Sequence, residues 1–564
     1  MKFSRHYLGL ALALVLGTTL RFWNLDFKPL WLDEVITALF TLGRSYNDVP
    51  LDVVFPLNRL EQIFTFNPAS SCGEIARTLA MQSTHPPLFF CLMQAWVGKL
   101  STHHSALTTE LRSLPALFGV GAIASVYWLN RVAFSPKAGL MAAALMAVSP
   151  FGVYISQEAR HYTLPVMMIT LSLSALIQIQ QDLQRQQLRS IVWLSWVAFN
   201  TIGLYVHYFF ILALLAQLAI VLVFVYNAKI KSFRLRLLVF AFWLLPFFFF
   251  IPWLPVLLGH FGRPETSWVP PPENIAPLYQ TLAAWLLMVI ALPVENQPLW
   301  IAIPVSLLML VFGSWLVRQV FPGVRQLWRN SATHLATLTL GIFILFVLLE
   351  FFAIVYLLGK DITIAPRYNF VYYPAICALL GASLVSRGAE ERGKSGNYLS
   401  AITHHQFPIP TVLLVGTIGC IFVVHNWAFQ KPYNPQQVAQ DMLLGKPDAP
   451  LMVVMGYDDS QDIALGLSFA LAIHKFNSNK CNITAEACPK FAFFNRSSGY
   501  DSVWQNLSQL PTPSTLPLNL WVVAPGLRRR DYPPQLGLSE QTSCTIDPEE
   551  YHRIGIPYQL YRCQ

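Results

Sequence analysis

Apolar runs recur along the whole chain, and they constrain it more than any other feature. They span residues 7–22, 111–129, 138–155, 162–179, 191–206, 209–225, 237–254, 299–317, 335–358, 370–385 and 409–427. Each is near the 17–25 residues that a helix needs to cross a bilayer. Lipid satisfies no open backbone group, so such runs must be helical. Only 12% of the 564 residues are charged, and 54% are hydrophobic; a soluble domain carries about twice that charged share. The chain reads as an α-helical polytopic membrane protein with about 11 transmembrane helices. No small-residue cleavage site follows the first run, and Arg21-Phe22-Trp23 reads as an interfacial anchor, so that run is expected to be kept.

Orientation follows from lysine and arginine. The net charge is +9. Most loop cations fall in six short segments: Lys2/Arg5, Arg131/Lys137, Arg185/Arg189, Lys229/Lys231/Arg234/Arg236, Arg318/Arg325/Arg329 and Arg387/Arg392/Lys394. With those on the cytoplasmic side, the remaining loops face outward. The basic balance is then a topology signal, and nucleic acid is not an expected partner. Two shorter apolar stretches, 86–100 and 277–293, would keep the orientation of the ends but put the Arg131/Lys137 and Lys229–Arg236 clusters outside if both crossed the membrane. They read as interfacial helices.

A long outer loop, 24–110, follows the first helix, and such loops are usually functional or linkers. After residue 428 the composition turns soluble-like. Residues 429–564 read as a small extracytoplasmic α/β domain, with strands at 451–456 and 518–523 and a helix at 460–474. Residues 1–428 form the transmembrane domain. Cys481, Cys488, Cys544 and Cys563 suit two disulfides, and the sequence-local pairing is Cys481–Cys488 with Cys544–Cys563, although three pairings exist. Cys91, Cys377 and Cys420 lie in apolar runs and read as packing residues. Asn482-Ile483-Thr484, Asn495-Arg496-Ser497 and Asn506-Leu507-Ser508 match the glycan-acceptor pattern. A P-loop, a GxGxxG after a strand, an HExxH and a GxSxG are all missing, which argues against a nucleotide-driven pump, a dinucleotide enzyme, a zinc protease and a serine hydrolase.

The outward polar residues carry the chemistry. Asp33 and Glu34 are adjacent carboxylates beside a membrane helix, candidates for a general base or a metal ligand, or else a helix N-terminal pair facing the dipole. His85, before Pro86-Pro87, suits a metal or a phosphate, or simply caps a helix. Ser156-Gln157-Glu158-Ala159-Arg160-His161 places several polar groups at one boundary, although Glu158 and Arg160 could pair with each other. His207-Tyr208 ends one span and Arg367-Tyr368 begins another; a forked, permanently charged arginine suits a phosphate, and equally an interfacial anchor. Glu350 is a carboxylate within an apolar run. Acids, histidines and arginines on one membrane face suit a reaction on a lipid-linked phosphate.

These residues also carry a resemblance. Asp33-Glu34, His85-Pro86-Pro87-Leu88, Arg112-Ser113-Leu114-Pro115-Ala116, Ser156-Gln157-Glu158-Ala159-Arg160, His207-Tyr208-Phe209, and Arg367-Tyr368 with Tyr373-Pro374-Ala375 occur in the order seen in bacterial protein O-mannosyltransferases and lipid A aminoarabinose transferases. Those are GT-C glycosyltransferases, and the resemblance covers about residues 1–390. It implies inverting transfer of a hexose or pentose from a polyprenyl-phosphate sugar donor to a hydroxyl acceptor, in the inner (plasma) membrane. It implies catalytic roles for Asp33, Glu34 and Glu158, and donor-phosphate contacts from Arg367, Tyr368, Arg160 and His207. It admits a divalent metal ion on Asp33, His85 and Glu158. The acceptor, whether lipid, glycan or protein, stays open, because residues 429–564 do not look like a β-trefoil. Two other classes compete: a transporter or flippase of lipid-linked sugars, which would show inverted repeats, and a non-catalytic assembly protein, for which Asp33 would be dispensable.

Overall fold

The computed structural model describes residues 2–100, 107–227, 233–263, 268–394, 408–444, 449–481, 488–511, 516–539 and 542–564. Lys229, Lys231, the Asn482-Ile483-Thr484 pattern and most of the 387–407 connector lie outside the described residues. The chain divides into two compact units. The first holds Met1–Phe27, Thr84–Leu92 and Thr109–Gln430; the second holds Lys28–Ser83, Met93–Thr108 and Lys431–Gln564. The outer loop 24–110 is thus shared between them.

The first unit is helical. Among the described residues, Leu107–Ala133, Thr163–Gln184, Val239–His260, Leu299–Arg329 and Ser331–Leu357 are long and apolar enough to cross a membrane. Pro136–Ala147 and Pro150–Ser156 together make one more span, bent by 61°. Shorter apolar helices form at Leu88–Leu100, Ser190–Val206, Phe210–Tyr226, Tyr373–Arg387 and Pro408–Val424. A helix, Ala276–Leu287, also occupies the second of the two short apolar stretches.

The bend has a local cause. Ser135 and Ser149 each cap a helix that starts on proline: Ser135 Oγ accepts from Ala138 N and Ser149 Oγ from Gly152 N. Pro150 has no N–H and its ring crowds the carbonyl four residues back, that of Met146. The helix therefore breaks there and restarts in a new direction. Arg21, only 1% exposed, donates to the freed carbonyls: Nη2 to Met146 O at 2.9 Å and Nη1 to Ala147 O at 3.1 Å.

Close helix contacts hold the two site-bearing segments together. A Cβ on Gly381 would sit 2.7 Å from Ala142 N and 2.8 Å from Ala142 Cα. Glycine allows this approach of Tyr373–Lys394 to Pro136–Ala147, as small residues do wherever membrane helices pack backbone to backbone.

The second unit contains one seven-stranded sheet: β1 (Val54–Pro56), β2 (Leu451–Tyr457), β3 (Lys490–Asn495), β4 (Leu518–Val523), β5 (Gln535–Gly537), β6 (Ser543–Ile554) and β7 (Ile556–Cys563). Its order is β1-β3-β2-β4-β7-β6-β5. β2 pairs in parallel with β3 and β4; the other pairings are antiparallel. Every residue of β2 and β4 is buried, as unbroken apolar runs in a parallel layer should be. The expected strands at 451–456 and 518–523 and the expected helix, here Ser460–Cys481, all form.

Residues of the outer loop complete this sheet. β1 adds to its edge through Val54–Ala492 and Pro56–Lys490 pairs. Asp52 accepts from Asn495 N at 3.0 Å and from the Tyr457 hydroxyl at 2.9 Å. The disulfides run Cys481–Cys488 and Cys544–Cys563, the latter between directly paired residues of β6 and β7. Cys377 and Cys420 are buried thiols. Cys91 corrects the reading from composition: it is disulfide-bonded, as is Cys72, so an apolar run did not make it a mere packing residue.

Gly381→Val is expected to lower the unfolding midpoint of the detergent-solubilised protein by an amount equivalent to about 1–3 kcal/mol, the usual cost of forcing bulk into a packed contact. Gly341→Val should stay within about 0.5 kcal/mol of wild type, since a Cβ there meets no atom within 4 Å.

Candidate active site

Restarting at Pro150, the bent span ends at Ser156 and leaves Gln157–Tyr162 as a tight turn before the helix Thr163–Gln184. The turn is tied down from below. Gln157 Nε2 donates to Leu20 O at 3.3 Å and to Trp23 O at 2.8 Å, and Thr163 Oγ1 donates to Pro115 O at 2.8 Å. Glu158, Arg160 and His161 are all at least 95% buried. Such burial of ionisable groups marks the turn as part of the protein interior rather than a solvated loop.

The other first-unit candidates converge on this turn. Arg160 Nη2 lies 3.0 Å from His85 Nε2, and its guanidinium sits over the Tyr162 ring. The His85 and His161 rings meet edge to face at 5.0 Å, and the His161 and His207 rings lie 4.6 Å apart. His207 packs on Phe370 at 4.7 Å and reaches Tyr368 at 6.5 Å. The Arg367 guanidinium lies 5.3 Å from the Trp268 ring centroid and 5.4 Å from that of Tyr368, two rings that themselves meet at 6.5 Å. Four residues read as phosphate ligands, Arg160, His207, Arg367 and Tyr368, thus belong to one cluster together with His85 and His161. His260 extends it through Tyr208, whose hydroxyl is 2.9 Å from His260 Nδ1. Trp268 and His260 escaped the sequence reading because neither stands in a patterned motif.

Electrostatics keep the histidines neutral. Burial, reinforced by Arg160 and Arg367, pushes His207 down to about 3. His85 is lowered by burial and then by Arg160 and His207; His161 is lowered by burial and then by His207 and Arg160. Two permanent guanidiniums therefore supply the charge, while the imidazoles supply neutral donors and acceptors. His161 is notable: it is 1% exposed, and neither ring nitrogen has a hydrogen-bond partner among the described residues. A buried polar group in that state is suited to a ligand.

Asp33 and Glu34 lie in the second unit, at the N-terminus of the helix Leu32–Thr41. Glu34 is fully buried, and its carboxylate accepts from the Trp31 amide at 3.4 Å, the carboxylate half of a capping box and the structural role that its spacing allowed. Asp33 is less enclosed as a residue, although its Oδ2 is buried. Glu350 stands within the helix Ser331–Leu357, away from any turn of the cluster in sequence.

Among the described residues no group of three or more His, Cys, Asp and Glu side chains is arranged to hold a metal ion. His85, a ligand candidate, instead faces the Arg160 guanidinium, and a second cation there would be repelled.

Residues 84–255, which contain His85, the 157–162 turn and His207, match the model of the dolichyl-phosphate-mannose-protein mannosyltransferase family. No curated protein matches the chain. Among solved structures, ArnT from Cupriavidus metallidurans bound to undecaprenyl phosphate aligns over 98% of this chain and 97% of its own, with a TM-score of 0.53 and 11% identity. Its apo form aligns over 93% of each chain, with a TM-score of 0.51 and 12% identity. The Archaeoglobus fulgidus oligosaccharyltransferase aligns over 83% of this chain and 64% of its own, with a TM-score of 0.51 and 14% identity. The chain is therefore similar in sequence to the dolichyl-phosphate-mannose-protein mannosyltransferases over residues 84–255, and over nearly its whole length it has the fold of ArnT.

Proposed function

We propose that this protein is a membrane glycosyltransferase that moves a sugar from a polyprenyl-phosphate donor to a hydroxyl acceptor on the outer face of the inner membrane. The observation that carries the reading is the cluster of two buried guanidiniums with three uncharged imidazoles, set on a fold shared with an undecaprenyl-phosphate-bound transferase.

The chemistry is a single displacement. The acceptor oxygen attacks the anomeric carbon as the bond from that carbon to the phosphate oxygen breaks, so the configuration inverts. The acceptor proton passes to Asp33, and the polyprenyl phosphate leaves with the bonding electron pair. The phosphate gains one negative charge as it departs. Arg160 and Arg367 are the groups that stabilise this gain, and the Arg367 guanidinium is in contact with the Trp268 and Tyr368 rings, which help to position it before the donor arrives. The His161 imidazole offers the phosphate a neutral hydrogen bond, as does His207. Glu158, buried in the same turn as Arg160, is a further acidic group of the site, and Glu34 fixes the first turn that carries Asp33. The nucleophile comes from the acceptor and the leaving group is activated as a phosphate, so positioning and electrostatics account for the chain's share of catalysis.

The test is transfer of label from a polyprenyl-phosphate sugar by purified protein in nanodiscs. Asp33→Asn should lower kcat by about 10²–10⁴-fold, the usual contribution of a general base; full activity in that variant sinks the assignment. Arg367→Ala should lower kcat/KM for the donor by about 10–100-fold, the loss of one hydrogen bond to a charged group, with Arg367→Lys recovering little of it. The donor KM should stay flat from about pH 8 to 5. Histidines whose pKa is lowered remain neutral until the pH falls through those lowered values, so none of the three gains a proton in that window. A donor KM that drops as pH falls through 6.5 would show that an imidazolium forms.

A further inference from the structure

The second unit holds a cavity of about 370 Å³ that the transferase reading does not use. Its size falls in the range of pockets that take small organic ligands. Its place follows from strand order. From β2 the chain runs through the helix Ser460–Cys481 to β3 on one side; from β3 it runs through Tyr500–Ser508 to β4 on the other side of β2. Connections thus leave the carboxyl ends of neighbouring β2 and β4 in opposite directions, which opens a crevice between them. In open α/β sheets that crevice is where ligands bind. Here it is lined by Asp459 and Gln461 after β2, by Gly526 and Arg528 after β4, and by the Gly555 turn that enters β7.

The crevice is unsuited to the phosphate that such sites often take. Asp459 Oδ1 accepts from the Gln461 and Asp462 amides at 2.9 and 3.0 Å. Asp462 Oδ2 accepts from Asp458 N at 3.0 Å and pairs with Arg496 Nη2 at 2.8 Å. The helix N-terminus is therefore occupied by the chain's own carboxylates, and these repel a further anion. What the walls offer instead is mixed: carboxylate acceptors, the Gln461 amide, the exposed Arg528 and Arg553 side chains, and the apolar faces of Leu32 and the half-buried Tyr433. Gly526 adopts a φ of +81° with no atom within 4 Å of a would-be Cβ, so backbone is open to an occupant at that wall. Alternating donors, acceptors and a ring face match a hydroxyl-rich ring with one apolar side.

We propose that this switch-point cavity binds a neutral saccharide, and that in the transferase reading, on which this last part rests, the saccharide is the glycan portion of the acceptor. The carboxylate candidate is near. Leu32, which lines the cavity, precedes Asp33, and the Tyr433 hydroxyl is raised in pKa by burial and then by the Asp462 and Asp33 carboxylates.

Saturation-transfer NMR on the full-length protein in nanodiscs, with no donor present, tests the site. The probes are methyl glycosides of mannose, glucose, galactose and N-acetylglucosamine, with inorganic phosphate as competitor. At least one glycoside should show transfer that falls about tenfold in Gln461→Trp, which fills the cavity, and in Arg553→Ala, a surface change expected to leave folding intact. Phosphate should not displace it. Signals that are absent, unchanged in both variants, or removed by phosphate overturn the proposal. The readout needs no catalysis, so an inert Asp33→Asn or a failed donor assay bears on the transferase reading alone.

Discussion

Two carbonyls opened by a proline determine where the chemistry sits. Pro150 cannot donate to Met146, and the restarted helix no longer serves Ala147. Inside a bilayer each orphaned carbonyl would cost several kcal/mol. Arg21 removes that cost from the first helix of the chain, and glycines make room for it: a Cβ on Gly119 would sit 2.9 Å from its Nε, and one on Gly152 would sit 3.1 Å from Nη2. The bend that results turns the span by 61° and delivers Gln157–Tyr162 as a buried turn rather than as the continuation of a helix. An arginine with no part in the proposed chemistry thus sets the direction of one that has.

The site itself is a problem in keeping charge where it is needed. Two guanidiniums brought together repel, and protonated histidines beside them would add to the repulsion. Burial settles this by holding the imidazoles uncharged, so that the cluster offers many hydrogen bonds but modest net charge before a phosphate arrives. Contacts with the Trp268 and Tyr368 rings add a cation–π attraction that helps to hold the Arg367 guanidinium in place.

Much of this was legible from residue patterns, and the limits have physical reasons. Apolar run length gave the helical architecture, because lipid leaves no alternative. His85, Arg160, His207 and Arg367 stand in polar breaks between apolar runs, which is what drew them together on one face before any contact was known. The two C-terminal disulfides and the strands at 451–456 and 518–523 were also readable. Trp268 and His260 were not: they depend on tertiary proximity that spacing does not encode. Glu34 shows ambiguity of another kind. An acid pair at a helix start serves chemistry or capping equally well on paper, and only the buried Trp31–Glu34 contact favours the cap. The Val54–Pro56 strand was invisible because three residues carry no periodicity, and its partner lies more than four hundred positions away.

That distance has a consequence for how the protein folds. β7, residues 556–563, lies inside the sheet between β4 and β6, and β1 comes from residues 54–56. The second unit therefore closes only when residues 54–56 and 556–563 are both in place, the latter as an inner strand of the sheet. Contacts of such sequence separation are slow to form. Until they form, Asp33 is carried by a segment whose fold is incomplete. The Cys544–Cys563 bond then fastens β7 to β6. Asp33, carried by the same unit, therefore rests on a scaffold that closes only when its most distant segments have met.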